Sequence, residues 1–463
     1  MTSSNAESQL LRIEEFRSDL TPAQIAAAEA GNTRAIAMQA YLYAFPAFLH
    51  MRQLTEFIQG RSYMAPDECP LGGWVLIREF STPQTATVSP NVDTLYGASY
   101  LLLDQQGPVV LHVPPIPDRY YSVALLDAYF IDFDVISPRT FGNDGGDFLI
   151  APPGWAGETP AGIRAVLHAT TPSICLLQRI YTRDAGEFAM LHEVQNAIRL
   201  TPLDRWLHGE QGFPPLDLAA YNIPAMRMVR DPLEYFAHTN FYTGANPPPP
   251  QDAGLAALFR SVGVGPGSTL PVDESARQAI AQGAADAQAA MNARISAGPF
   301  RNGWRVPDPD SGIASQQILM RAAVQATQMG IFPLEEAIYL FAYRDRDDAL
   351  LHGSHRYTLT FAAGELPPLR EYGFWSLTMY NDTSLLVDNP IQRYALRPNS
   401  PGLTYAPDGS LTLFLQHEPP TATPAGNWLP APAGAFNVAL RTYQPQAAIV
   451  SGAWFPPAIV RVA

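Results

Sequence analysis

Apolar and polar positions divide the chain into four stretches of different period. Over residues 22–58 the spacing is helical. Thr21 is placed to cap, Pro22 sits at the first helical position, Asn32-Thr33 open a second helix, and Pro46 should kink it. From about 74 to 181 the pattern changes to short β-branched and aromatic runs between Gly, Pro and Asp turns. The runs 109–113, 119–127, 165–169 and 174–181 read as strands. Phe188, Leu191, Val194 and Ile198 then restore a helical period over 187–200.

A loop-rich stretch ends in the prolines of 246–250. Helical character dominates 252–344, with an Ala-rich segment at 274–295 and a run closed by Gly330. Strand patterning returns at 356–362, 373–380, 411–417, 436–443 and 449–454, and Asp408-Gly409 is a hairpin-turn signal. The expectation is an α+β protein, mainly β. It comprises an N-terminal helical segment (1–60), a first β domain (61–205), a helical and loop-rich connection (206–344) and a second β domain (345–463), both β domains sandwich- or barrel-like. No GxGxxG follows a strand, no GxSxG elbow occurs and no fixed repeat is visible, so dinucleotide, α/β-hydrolase and solenoid folds are unsupported.

Composition narrows the function classes. With 47% hydrophobic and 16% charged residues the chain can bury a large core. A net charge of −14 without a basic stripe argues against nucleic acid and against an anionic membrane surface. No run of 18 apolar residues is present, so no membrane span is expected. The polar, acidic opening lacks a signal-peptide layout, which reads as cytoplasmic. All 29 basic residues are Arg. A lysine Schiff base, a Walker lysine and a kinase lysine–glutamate pair are therefore excluded, and any cation that fixes an anion must be an arginine, a histidine or a metal. Cys69 and Cys175 form no CxxC unit and read as buried free thiols, with a disulfide left open.

Two segments carry a resemblance. VSPNVDTLYGASYLLLDQQGPVVLHVPPIPDRYYSVALLDAYF, at 88–130, is similar to domain of unknown function 1254. FWSLTMYNDTSLLVDNPIQRYAL, at 374–396, with DGSLTLFLQ, NWLPAP and LRTYQP downstream, resembles domain of unknown function 1214. The resemblance implies two β domains with helical additions and a homo-oligomer. It supplies no established reaction, and the export of many relatives stands against the cytoplasmic reading.

The densest polar cluster lies inside the first segment. Asp93, Tyr96, Arg119 and Tyr121 are the candidate catalytic residues, with Asn91, Thr94, Tyr120 and Asp127 beside them as substrate-binding candidates. Strand alternation in RYYSVALLD puts Arg119, Tyr121 and Asp127 on one face, where a guanidinium could lower a tyrosine pKa for proton transfer. The competing reading is an internal Arg–Asp pair that locks the β domain. In the second segment Trp375 and Tyr380 could line a ligand platform or fill a core, and Arg393 could hold a carboxylate or pair with Asp388.

His352 and His355, behind Asp345, Asp347 and Asp348, are the close histidine pair and the weak metal candidates; their competing reading is a solvated turn. The first functional expectation is a small-molecule enzyme that uses no cofactor, performing acid–base chemistry (hydrolysis, elimination or isomerisation) on an apolar oxygenated or carbonyl substrate in a pocket of the first β domain. The second is a non-catalytic ligand-binding or oligomeric assembly protein. A metal-dependent enzyme is the third.

Overall fold

The computed structural model describes residues 20–62, 67, 69–85, 87–214, 231–313, 317–420 and 424–462. The expectations for 1–19 and for 215–230 lie outside the described residues. Helix accounts for 31% and strand for 27%, an α+β protein in which the helices weigh as much as the sheets.

Thr21 starts the first helix through a capping box with Gln24. The helix then runs unbroken over Pro22–Ile58, with Pro46 inside it, and does not restart at Asn32-Thr33. Most of its residues from Ile36 onward are buried, and it packs on helices Pro232–Ala245, Glu274–Ser296 and Ile318–Thr327. That tertiary burial outweighs a propensity cost of about 1 kcal/mol or less at each of Gly31, Asn32 and Thr33.

Four sheets follow from the strand patterning. The inner sheet of the first domain orders Val75–Ile77, Thr94–Leu102, Ser173–Tyr181, Tyr121–Asp127 and Asp132–Ile136. Its outer partner orders Ile163–His168, Gly146–Ala151, Val109–Val113 and Arg199–Pro202. In the second domain the inner sheet orders Phe300–Arg301, Trp304–Arg305, Ala337–Ala342, Phe436–Pro445, Leu369–Asn381 and Ala395–Leu396. The outer sheet there orders Trp428–Pro430, Leu411–Gln416, Arg356–Phe361 and Val460–Val462.

Other segments also differ from the sequence expectation, Phe300–Arg301 and Trp304–Arg305 being short strands within the stretch expected to be helical. Ala337–Ala342 is a strand paired with Phe436–Pro445 and not part of a helical run. Its alternate residues enter two different cores, Ile338 and Leu340 one and Ala337 the other, which a strand can do in six residues. Residues 449–454 are no strand: Ala447–Val450 is a helical turn, and Gly452 at φ +72 with Pro456-Pro457 interrupts any ladder. Asp408-Gly409 does turn, with Ala406 N–H donating to the Ser410 carbonyl, but only the segment after it is a strand.

Strand alternation sorts the side chains into layers. Tyr121, Val123 and Leu125 face the apolar core between the two sheets of the first domain. Leu340, Leu377 and Leu440 do the same in the second domain. Tyr120, Ala124 and Leu126, from the opposite face of the same strand, meet Ala337, Phe374 and Tyr443 of the other inner sheet. The two inner sheets thus pack face to face.

Where the first helix meets Glu274–Ser296, Gly283 lets the backbones touch. A Cβ there would lie 2.4 Å from the Arg34 carbonyl oxygen and 2.9 Å from Ala37 Cβ. Gly283→Ala should therefore lower stability by about 1–3 kcal/mol through overpacking, despite the helix propensity it gains. Urea denaturation checks this; a more stable variant would show that the close approach is not needed.

Candidate functional site

The motif residues of the first domain meet the second domain directly. Asp93 is fully buried, and its Oδ1 accepts from Arg397 Nε at 2.7 Å while its Oδ2 accepts from Ser376 Oγ. Asn91 Nδ2 donates to the Tyr443 hydroxyl at 2.8 Å. Tyr120 donates to Glu336 at 2.9 Å, and Glu336 also accepts from Ser137 and Arg139. Tyr380 donates to the Pro90 carbonyl at 2.7 Å and accepts from Arg441 Nη2. Phe374 completes the join, its ring centroid 4.0 Å from that of Tyr181 and 4.4 Å from that of Tyr443. Such aromatic pairs contribute about 0.5–1.5 kcal/mol each beyond their buried area.

Several expected groupings do not form. Arg119 is 3% exposed but precedes its strand, and its guanidinium is spent on Asp118, Glu187 and the Tyr181 carbonyl. Asp127, at the far end of that strand, accepts from Thr170 and from the Tyr129 and Ile131 backbones. Arg119 and Asp127 therefore make no pair. Tyr121 points into the apolar core and donates to the Gly142 carbonyl, and burial pushes its pKa up to about 12, the reverse of the expected lowering. The Thr94 hydroxyl is buried and has no hydrogen-bond partner among the described residues.

In the second domain Trp375 belongs to the apolar core. Arg393 donates to the carbonyls of Ala425, Gly426 and Trp428 and makes no pair with Asp388. His352 and His355 stand in a turn, with His352 Nδ1 bonded to Ser354 Oγ. Among the described residues no three His, Cys, Asp or Glu side chains are grouped to hold a metal.

A different arginine is short of partners. Tyr96, Arg179 and Ser122 lie in register across three adjacent strands of the first inner sheet. Arg179 is 5% exposed; its Cζ lies 4.1 Å from the Phe332 ring centroid and 5.2 Å from that of Tyr96. Nη2 donates to the Gly330 carbonyl at 3.2 Å and the Tyr96 hydroxyl lies beside the guanidinium, but among the described residues Nε and Nη1 make no well-formed hydrogen bond and no carboxylate forms an ion pair with it. The Ser122 hydroxyl, beside that of Tyr120, also makes no well-formed hydrogen bond among the described residues. Both Asp132 oxygens are buried and unbonded, and burial, opposed by Arg179, holds that carboxyl well above the usual range.

From the second inner sheet, the Tyr339 hydroxyl donates to that of Tyr443 at 3.5 Å. Burial pushes both tyrosines up, so both keep their protons. Tyr339 also lines a narrow cleft between helix Ile318–Thr327, strand Ala337–Ala342 and the loop at 305–311. Ser89, Phe130 and Gln444, all at φ between 51 and 56, border this layer. Left-handed non-glycine residues cost about 1–3 kcal/mol each and persist where their surroundings fix them, as Arg441 fixes the Ser89 carbonyl. Arg179 was visible in the sequence as the one charged residue of the strand run ICLLQRIY, whose alternation puts it on the same face as Cys175 and Tyr181.

Fold and site together define an α+β protein of two β domains joined face to face through a buried polar layer. The chain belongs to the proteins that pair two domains of unknown function: residues 74–202 match Protein of unknown function (DUF1254) and residues 336–447 match Protein of unknown function (DUF1214). It is similar to the crystal structure of the VPA0106 protein from Vibrio parahaemolyticus, with a TM-score of 0.71 and 22% identity over 93% of this chain and 100% of that one. That likeness shows the fold. A putative uncharacterized protein from Burkholderia cenocepacia aligns with a TM-score of 0.45 and 13% identity over 94% of this chain and 96% of that one. No curated protein matches the chain. Among the described residues no helix is long and apolar enough to cross a membrane.

Removing one partner of the Asp93–Arg397 pair leaves a buried charge uncompensated. Asp93→Ala should cost about 3–5 kcal/mol in urea denaturation, and a cost near zero would show that the join does not depend on it. The cysteines provide a second check. Cys69 and Cys175 are buried and unpaired, and burial raises their thiols to about 11 and about 12. A raised thiol pKa keeps the unreactive neutral form in the folded state. Native protein at pH 8 should barely react with Ellman's reagent and should release two thiols on unfolding; rapid native labelling would contradict this burial.

Proposed function

We propose that this chain binds a small oxygen-bearing molecule in the polar layer between the two inner sheets and acts on it by acid–base chemistry that needs no cofactor. Arg179 carries the reading. A buried polar group left unpaired costs about 1–3 kcal/mol, and a charged group costs more. A ligand oxygen on Nε or Nη1 would offset that cost. Arg179 then steadies negative charge on the ligand, while Asp132, kept protonated by burial, and the Tyr339–Tyr443 hydroxyl pair supply protons.

Of the four catalytic candidates drawn from the sequence, Tyr96 stays at this site. Asp93, Arg119 and Tyr121 have their polar groups committed elsewhere. The Asp93–Ser376–Arg397 cluster favours a structural role for the SPN-x-DTLY motif, in line with the assembly reading. Homo-oligomerisation is proposed on the family resemblance.

The test exploits the difference between a ligand-holding and a structural arginine. Arg179→Met removes an unpaired buried charge, so the ligand-free variant should melt at or above the wild-type temperature. A small carbonyl or carboxylic compound that raises the wild-type Tm should leave Arg179→Met unmoved. Tyr96→Phe, which removes only a hydroxyl, should keep the fold and weaken the ligand effect. A marked fall in the ligand-free Tm of Arg179→Met makes the arginine structural and overturns the proposal.

A further inference from the structure

We infer that the ligand of this layer is a monoanion, a carboxylate or enolate carried on an apolar body, entering through the cleft that Tyr339 lines. The inference rests on reading the Arg179 layer as a binding site and adds the charge and shape of what it holds.

Charge is the first ground. Four arginines reach the layer: Arg139, Arg179, Arg397 and Arg441. Three acids face them: Asp93, Asp132 and Glu336. Arg397 pairs with Asp93 and Arg139 with Glu336. Arg441 is held by neutral oxygens of Thr378, Tyr380 and Ser89. With Asp132 protonated by burial, four cations against two ionised acids leave two positive charges over, one on Arg441, which those neutral oxygens cover, and one on Arg179, which is left open. The adjoining cluster balances itself, Arg119 and Arg183 against Asp118 and Glu187. A single negative charge meets the one guanidinium left open.

Hydrogen bonding is the second ground. Among the described residues, Arg179 Nε and Nη1 and the Ser122 and Thr94 hydroxyls have protons to give and make no well-formed hydrogen bond, with the Tyr96 hydroxyl beside the guanidinium and that of Tyr120 beside Ser122. Against them stand the Asp132 carboxyl and the Gln444 side-chain oxygen. A ligand rich in acceptors satisfies this set, and a cationic ligand leaves the guanidinium uncovered.

The cleft is the third ground. Arg305, on its wall, donates to the carbonyls of Ile295 and Arg294, while Arg294 is paired with Asp308. Two arginines against one aspartate give a local positive charge on a chain of net charge −14. Such a focus draws anions to an otherwise repelling surface. Val324, Ile331, Leu334 and Phe341 supply the apolar wall for the rest of the molecule.

Matched pairs of probes test this on the full chain. Benzoate with benzamide, octanoate with octanamide, and inorganic phosphate would be titrated by calorimetry and melting temperature against wild type and Arg179→Met. The expected result is saturable binding of a carboxylate at least about tenfold tighter than its amide, lost in Arg179→Met and weakened by added salt. An amide that binds as well as its carboxylate, with both lost in Arg179→Met, overturns the monoanion and leaves the site. Carboxylate binding unchanged in Arg179→Met, tighter binding of phosphate, or no carboxylate binding at millimolar concentrations also overturns it. Failure of the site itself would show separately, as a ligand-free Arg179→Met that melts far below wild type.

Discussion

A charge moved out of water has to be paired, and the joining of this protein's two domains turns on that constraint. Each β domain already has an apolar core between its own two sheets. The faces left over are aromatic and polar, and they are pressed together. Asp93 with Arg397 and Ser376, and Glu336 with Tyr120, Ser137 and Arg139, are the points where ion pairs and hydrogen bonds cross or line that contact. Such clusters add less net stability than an apolar contact of equal area, but they fix one arrangement of the sheets, because a shifted arrangement would strand the charges.

Against that background the unpaired groups stand out. Arg397 and Arg179 are both held between the sheets, yet one meets a carboxylate and the other meets one carbonyl and two aromatic rings. The same surroundings that reward a completed pair penalise an incomplete one. Nearby Asp132 is incomplete too, and burial keeps it neutral, so it does not neutralise the arginine. A layer that fastens two domains thus also contains a place suited to an outside anion. Fastening and binding are shared between neighbouring residues of the same strands.

Much of the fold was legible because its signals are local. The strand run RYYSVALLD, the cap at Thr21-Pro22 and the helical spacing of Phe188 to Ile198 reappear as elements. Ala337–Ala342 was missed because six apolar residues fit a helix or a strand equally until the pairing partner, about a hundred positions later, is known. The site was legible only in part. Asp93 was picked out as chemically special, and it is buried and charged as that implies, but its partner Arg397 lies 304 residues away and no spacing rule joins them. Arg119 looked like the available cation because its neighbours in sequence are acidic and aromatic, yet Asp118 beside it and Glu187, 68 positions on, are what consume it. Arg179 drew no attention among apolar neighbours, although a lone charge in a buried strand is the clearest sign of a group needing something from outside.

The most direct measurement is a crystal structure at a resolution that separates water from a bound carboxylate, grown with the tightest carboxylate probe. The expected result is density for the anion within about 3 Å of Arg179 Nε or Nη1, with the Tyr96 and Tyr339 hydroxyls turned toward it and the two inner sheets unmoved. A layer repacked so that protein carbonyls or Asp132 occupy every nitrogen of Arg179, with the probe absent or bound elsewhere, would contradict it.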